Sequence, residues 1–461
     1  MAIRTISAAG GNYNSTATWD EGVVPTNADD VVVRADGTSG SVTVTAAAAA
    51  KTLDLTAGAY NGTFTIDATF TLTVSGSVTL NSSGTCPGPV GGGSLSINTT
   101  ATLTSNGKTI GCNFIYTTAP ATLTLADDAN ITGLLTATSS SNNITFTSSG
   151  RTVTVAGGVS ATGRLFTLTN TTLKVTGGTL NGTSNASFGI AGTGTFEFAG
   201  NVTCGATGPF LRCSTVKFTS GTISGGSISF GGNVALVGAC SLPTTSFRMR
   251  VSGTLTLDSA FSCGADFNVV GVTLTMAGAQ TVTLTGTFGV TATTGTSTLN
   301  PGTCTFVTST VTLNAATSTM LRLIGSFTFD TVNLSGTATL IVDSGNTLSV
   351  SSAFNPVGTP LLSPTVRSQT ANVAFTLALG TAIVQSAFAT YTDVSVTGVV
   401  VNNAFSGPLT RTSGIVALAT NESLDSTDPG IANVRDGAGY TIDGVPLVGA
   451  YTGRTSYGYI Q

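Results

Sequence analysis

Histidine is absent from this chain of 461 residues, tryptophan occurs once, and charged side chains make up only 8% of it, against the ~25% usual for globular proteins. Without histidine there is no Ser-His-Asp relay, and a zinc site would have to be built from cysteine alone. Seven cysteines are present (Cys86, Cys112, Cys204, Cys213, Cys240, Cys263, Cys304), odd in number and with no C-x-x-C pair. They read as small buried hydrophobes, with a Cys204–Cys213 or Cys240–Cys263 bridge as the alternative. Sixteen cations under a net charge of -4 do not build a basic face, so no nucleic-acid partner is expected. No segment approaches the ~18 unbroken apolar residues of a spanning helix. A porin-like barrel needs strands of ~10 residues and aromatic girdles, which one Trp and eight Tyr do not supply. Membrane insertion is therefore not expected. Met1–Ser7 has no apolar leader core, which predicts synthesis in a reducing cytoplasm. Calcium loops of the D-x-D-x-D-G or G-G-x-G-x-D kind are missing, as are phosphate loops ending in Lys-Ser/Thr. Asp425–Gly430 reads as a turn, and no metal or cofactor is expected.

What is abundant is glycine, 58 residues of it, together with Val, Ile and Thr in short alternating triplets. Val42-Thr43-Val44, Leu53-Asp54-Leu55, Phe64-Thr65-Ile66, Leu72-Thr73-Val74 and Val78-Thr79-Leu80 open the series. Val153-Thr154-Val155, Leu173-Lys174-Val175, Leu255-Thr256-Leu257, Val282-Thr283-Leu284 and Leu348-Ser349-Val350 continue it. Each triplet puts two apolar side chains on one strand face and a polar one on the other. Gly, Asn and Ser follow after a few residues, too soon for βαβ units. The pattern predicts an all-β chain, a right-handed parallel β-helix or solenoid with an N-terminal cap and a small C-terminal segment. Three triplets per coil of ~20–25 residues give roughly fourteen coils over residues 41–365; at ~4.8 Å each they span about 65–70 Å. A series of β-sandwiches is the competing arrangement, and Asn61-Gly62, Asn106-Gly107 and Asn181-Gly182 would serve as its hairpins or as tight corners.

Texture divides the chain into a cap (residues 1–40), a coil array (41–365), terminal coils (366–415) and a C-terminal attachment or tip segment (416–461). Trp19, Pro25 and the carboxylates Asp20, Glu21, Asp29 and Asp30 give the first segment the composition that closes an exposed sheet edge. Cys86–Gly93 carries two Pro and four Gly and reads as an exposed loop or a joint; Asn355–Pro360 and Pro364 form a second punctuation. The runs Gly10-Gly11-Asn12-Tyr13, Ala17-Thr18-Trp19 and Val24-Pro25-Thr26-Asn27-Ala28-Asp29-Asp30-Val31 resemble the opening of β-helical proteins in bacteriophage structural modules. Val366-Arg367-Ser368, Ala374-Phe375-Thr376-Leu377 and Tyr391-Thr392-Asp393-Val394-Ser395-Val396 resemble the last coils of the same phage and bacterial β-helices. The resemblance implies a virion protein of the tail-fibre or tailspike kind, made in the host cytoplasm. It would contact other virion proteins and a host-surface glycan or protein.

Some such proteins cut polysaccharide, which requires two carboxylates ~5–9.5 Å apart. Glu197 is the only acid between Asp128 and Asp258, while Asp54, Asp67, Asp258, Asp266, Asp330 and Asp343 are isolated in sequence unless stacking joins them. Asp127 and Asp128 are adjacent, so on a strand they would face opposite ways; a turn suits them better. A lyase base would come from Lys, Arg or Tyr, and only four Lys are present. No enzymatic activity is expected. Arg248 and Arg250 share a strand face and are expected to be solvated. Tyr440, Tyr451, Tyr457 and Tyr459 are the candidate receptor or subunit contacts, since tyrosine joins apolar area to a polar tip. The expected protein is a non-enzymatic β-solenoid rod of a phage tail, fibre or baseplate, forming a homo-oligomer. A capsid decoration or head fibre, a cell-surface adhesin and a polysaccharide-degrading tailspike are the alternatives.

Overall fold

The triplets become rungs. The computed structural model describes residues 2–397, short internal stretches excepted (138–143, 183–188 and 290–295 are the longest), and beyond them five two-residue strands between 409 and 446. The fold is a β-solenoid of stacked parallel strands with almost no helix, as the repeat predicts. Two compact units divide it, residues 1–241 and 242–461.

In the first unit the chain visits three ladders in strict rotation. One ladder joins Ile3–Thr5, Asp30–Val32, Thr52–Asp54, Val78–Thr79 and Ala101–Thr104, and then continues to Phe210–Ser220. The next joins Gly11–Asn12, Val42–Val44 and Phe64–Ile66 and continues through Thr152–Val155 and Thr172–Val175. The third starts at Ala48–Ala50 and Thr71–Val74 and continues to Ile223–Gly225. The second unit repeats the rotation, for example from Ser246–Val251 to Gly253–Leu257, Phe261–Cys263 and Phe267–Val269. Three strands therefore complete a turn. All of these pairings are parallel, so the Asn-Gly dipeptides make no hairpins: Asn106 (φ 51°) and Gly107 (φ 73°) turn a tight corner in the left-handed region. A parallel arrangement also rules out the β-sandwich alternative.

Alternation explains the core. Leu53, Val78, Leu103 and Leu125 occupy matching inward positions on successive turns, and all are buried. Aromatic rings line up in the same way: Phe146 meets Phe166 edge-on at 4.8 Å, while Phe198 stacks on Phe218 at 4.8 Å and Phe247 on Phe267 at 4.5 Å. These spacings follow the ~4.8 Å separation of hydrogen-bonded strands. Outward positions stack like with like, as in Thr152, Thr172, Thr195 and Thr215.

Corners interrupt the backbone ladder, and short polar side chains take over there. Asn61 accepts the N–H of Thr85 (3.0 Å), Asn113 that of Leu134 (3.0 Å) and Asn201 that of Thr222 (2.9 Å), in each case one turn later. Glycine is required where corners touch: a Cβ on Gly178 (φ 74°) would meet the Gly157 carbonyl carbon at 2.4 Å, and one on Gly157 would meet Gly133 equally closely. Of Cys86–Gly93, expected as a loop or a joint, Cys86–Gly88 is a loop, but from Pro89 on the segment carries the ladder onward. Pro89 opens the strand Pro89–Ile97 and pairs with Phe64, and a bulge between Val90 and Ser94 absorbs the glycines. The punctuation after Val357 does leave the stack. A short hairpin bridged from Thr359 to Leu362 holds Leu361 92% exposed.

Candidate functional site

The residues singled out at the N-terminus gather at the start of the first ladder. Strand Ile3–Thr5 has the rung Asp30–Val32 on one side only, so its other edge needs partners. Residues 13–21 fold back to supply them. Glu21 Oε2 accepts the Thr5 N–H (2.9 Å), the Asp20 N–H donates to the Thr5 carbonyl (3.0 Å), and the Ser7 N–H donates to the Thr18 carbonyl (2.9 Å). Trp19 is buried, donates its indole N–H to the Tyr13 carbonyl (2.9 Å), and meets the Tyr13 ring edge-on at 5.0 Å. Tyr13 in turn donates its hydroxyl to the Ala49 carbonyl (2.7 Å), and Asn14 donates to the Ala47 carbonyl (3.3 Å). Those two contacts close the start of the third ladder. Burial, and secondarily the charge of Asp29, hold the Tyr13 phenol above its ordinary pKa.

Asp29 and Asp30 are neighbours in sequence with separate jobs. Asp29 accepts from the Thr26 N–H (3.0 Å) and hydroxyl (2.8 Å) and lies 3.6 Å from Arg4, clasping the turn that holds buried Pro25. Burial pushes its carboxyl up, but the Thr26 bonds, Arg4 and the Ala2 backbone outweigh burial and hold it below the ordinary carboxylate value. Asp30 faces the next turn, where it accepts from the Thr52 hydroxyl (2.8 Å) and lies 3.8 Å from Lys51.

Beside this closed end, Thr5, Asp20, Arg34, Ala35 and Asp36 line a shallow open depression. Arg34 grips both Asp20 oxygens (3.0 and 2.8 Å), and its Nε lies 3.6 Å from Asp36. The Thr38 N–H (3.0 Å) and hydroxyl (2.7 Å) bond Asp36 and lower its pKa. A general acid needs a raised carboxyl pKa; that of Asp36 is shifted the other way. The surface suits docking through paired charges.

Several other acidic candidates are engaged across turns, whereas Asp54 holds Thr56 two residues on, and Asp258 and Asp266 lie outside the described residues. In the Asp127-Asp128 bend, Asp127 accepts the Ser105 N–H from the turn before (2.7 Å), while Asp128 accepts the Thr152 N–H from the turn after (2.8 Å). Glu197 takes Lys174 (3.1 Å) on the preceding turn and the Thr219 hydroxyl (3.2 Å) on the following one. Arg322 bonds Asp343 at 2.8 and 3.3 Å. Among the described residues no group of three His, Cys, Asp or Glu comes close enough to hold a metal ion. Cys86, Cys112, Cys204, Cys213 and Cys263 are buried and unbridged. Burial pushes the Cys112 thiol up to about 11 and those of Cys204 and Cys213 up to about 12.

Tyr440, Tyr451, Tyr457 and Tyr459 lie outside the described residues. The other tyrosines, Tyr13, Tyr60, Tyr116 and Tyr391, are all interior. Tyr13 was singled out only as part of the opening motif, and Asn14, which closes the third ladder with it, and Arg4 and Arg34, which pin the acids, were not singled out from sequence. Several of their partners stand far off in the chain, Asp20 14 residues from Arg34 and Ala49 36 from Tyr13, beyond any local pattern. Compared with protein-family models, with curated proteins and with solved structures, the chain finds no match in any of the three.

Proposed function

We propose that this chain is a non-enzymatic structural protein of a bacteriophage particle, a β-solenoid rod of the tail, fibre or baseplate. The observation that carries this reading is the rotation of parallel ladders around a filled core within each unit. Stacked ladders align backbone hydrogen bonds with the stacking direction, so stiffness comes from the main chain itself. The motifs at residues 10–31 and 366–396, similar to those of phage β-helices, supply the phage assignment. The rod acts as a homo-oligomer in the virion, needs no cofactor, and docks to other virion proteins through one end. The other end faces outward or binds a neighbouring subunit, and Tyr440, Tyr451, Tyr457 and Tyr459 are the receptor or subunit contacts.

Electron microscopy of phage particles carrying an antibody label on this protein tests the reading directly. Label on the tail, fibre or baseplate supports it. Label on the capsid makes the protein a head decoration, and label on uninfected cells makes it an adhesin. A depolymerisation assay on host envelope glycan addresses the tailspike alternative: a fall in viscosity with purified protein overturns the non-enzymatic assignment.

A further inference from the structure

The strand Ser246–Val251 alternates strictly, with Phe247 and Met249 buried in the core and Arg248 and Arg250 on the outer face. Two residues of rise separate the arginine Cα atoms by about 6.6 Å, so both guanidinium groups stand over one patch. On the next turn Arg248 is paired with Asn268, which is only 6% exposed, and Asn268 in turn with Gly289, which brings no side chain. The patch therefore sets two partly exposed cations beside a largely enclosed amide.

Expected to be solvated, these arginines are partly enclosed. The Nε atoms of both, like those of Arg4 and Arg34, are shielded from solvent and have no hydrogen-bond partner. Arg4, Arg34 and Arg322 each have a carboxylate within 3.6 Å, whereas among the described residues neither Arg248 nor Arg250 has an acidic partner. Enclosed polar groups in folded chains are nearly always satisfied, and like charges on one face repel. The guanidinium fork matches the paired oxygens of a carboxylate or phosphate. Burial, then the charge of Arg248, lowers the pKa of Arg250, as two like charges on one face do. We infer that Arg248, Arg250 and Asn268 form a binding site for an oxyanion, a phosphate or a carboxylate, on the outer face of the second unit. This site stands independently of any virion role.

The test is calorimetric titration of the full-length protein at constant ionic strength with inorganic phosphate, with polygalacturonate and with neutral dextran. Thermal melts are run in phosphate and in chloride. Binding of phosphate alone marks a free oxyanion as the ligand; tighter binding of polygalacturonate marks a glycan carboxylate. Both outcomes support the site, and dextran should not bind. Arg248→Gln and Arg250→Gln should each weaken binding about tenfold or more, while melting in chloride at or above the wild-type temperature because repulsion is relieved. Three results overturn the inference. One is no heat with either anion. Another is wild-type affinity in both variants. The third is variants that melt lower in chloride by as much as in phosphate, which marks a partner supplied by the chain itself.

Discussion

At the scale of single residues, short polar side chains do what a continuous backbone ladder cannot do at a corner. Asp29 is the clearest case. Its folded pKa lies below the ordinary 3.8, so the stability it adds is fully present above that value and is lost as pH falls through the lower folded one. Asp29→Asn should therefore destabilise by roughly 1–2 kcal/mol near neutral pH. The gap from wild type should close as the medium is brought below pH 3.8, read as urea midpoints across a pH series. A gap that stays constant with pH would mean that the charge of Asp29 is not what matters. Glycine is the complementary device. Gly178→Ala places a methyl group against Gly157 in a left-handed conformation and should cost at least about 2 kcal/mol. Cysteine is a third. With their thiols pushed up to about 11 or 12, Cys112, Cys204 and Cys213 should stay unreactive to a thiol reagent at pH 8 in the native protein and react fully in guanidinium.

At the scale of elements, each strand is held by the equivalent strand before and after it, so damage should stay near its source. Phe146 touches Tyr116 at 5.7 Å and Phe166 at 4.8 Å. Phe146→Ala should cost about 3–5 kcal/mol, and hydrogen exchange should accelerate first in Ala121–Leu125, Ile144–Thr147 and Leu165–Thr169. Uniform acceleration along the whole chain would contradict nearest-neighbour stacking. Strands were the most legible part of the sequence: all ten triplets quoted from it are rungs or their direct continuation, with the apolar members inward. Their alternation is local, and a period of two survives whatever the neighbours do. Corners were less legible. Cys86–Gly93 looked like a break because Pro and Gly oppose strands on average, yet Pro89 needs no donor at the strand start and the glycines serve a bulge. The N-terminal acids were visible as a cluster, but the arginines and tyrosine that fix their roles reach them only once the stack has formed. The partial burial of Arg248 and Arg250 is not something that a strand pattern reveals.

At the scale of the molecule, the ends of a stack decide its behaviour, because an uncovered ladder invites another chain. Residues 13–21 cover the start of the first unit through Glu21, Asp20, Tyr13 and Asn14. Removing residues 1–21 should uncover Asp30–Val32, Val42–Val44 and Ala48–Ala50 together. The shortened protein should then assemble end to end into species larger than the parent, as light scattering after gel filtration would register. A parent-sized product would mean that another segment closes the stack. The corner clasps carry a wider consequence. Since Asn61, Asn113 and Asn201 each reach the equivalent position one turn on, 24, 21 and 21 residues away, the unit of growth is the whole circuit. Duplicating or excising one circuit leaves every interior contact type and every clasp intact, whereas an odd-numbered shift within a strand turns its oily face to water. Length in such a protein is a ratchet: relatives of different reach should differ by complete steps of some twenty residues, with nothing stable between them.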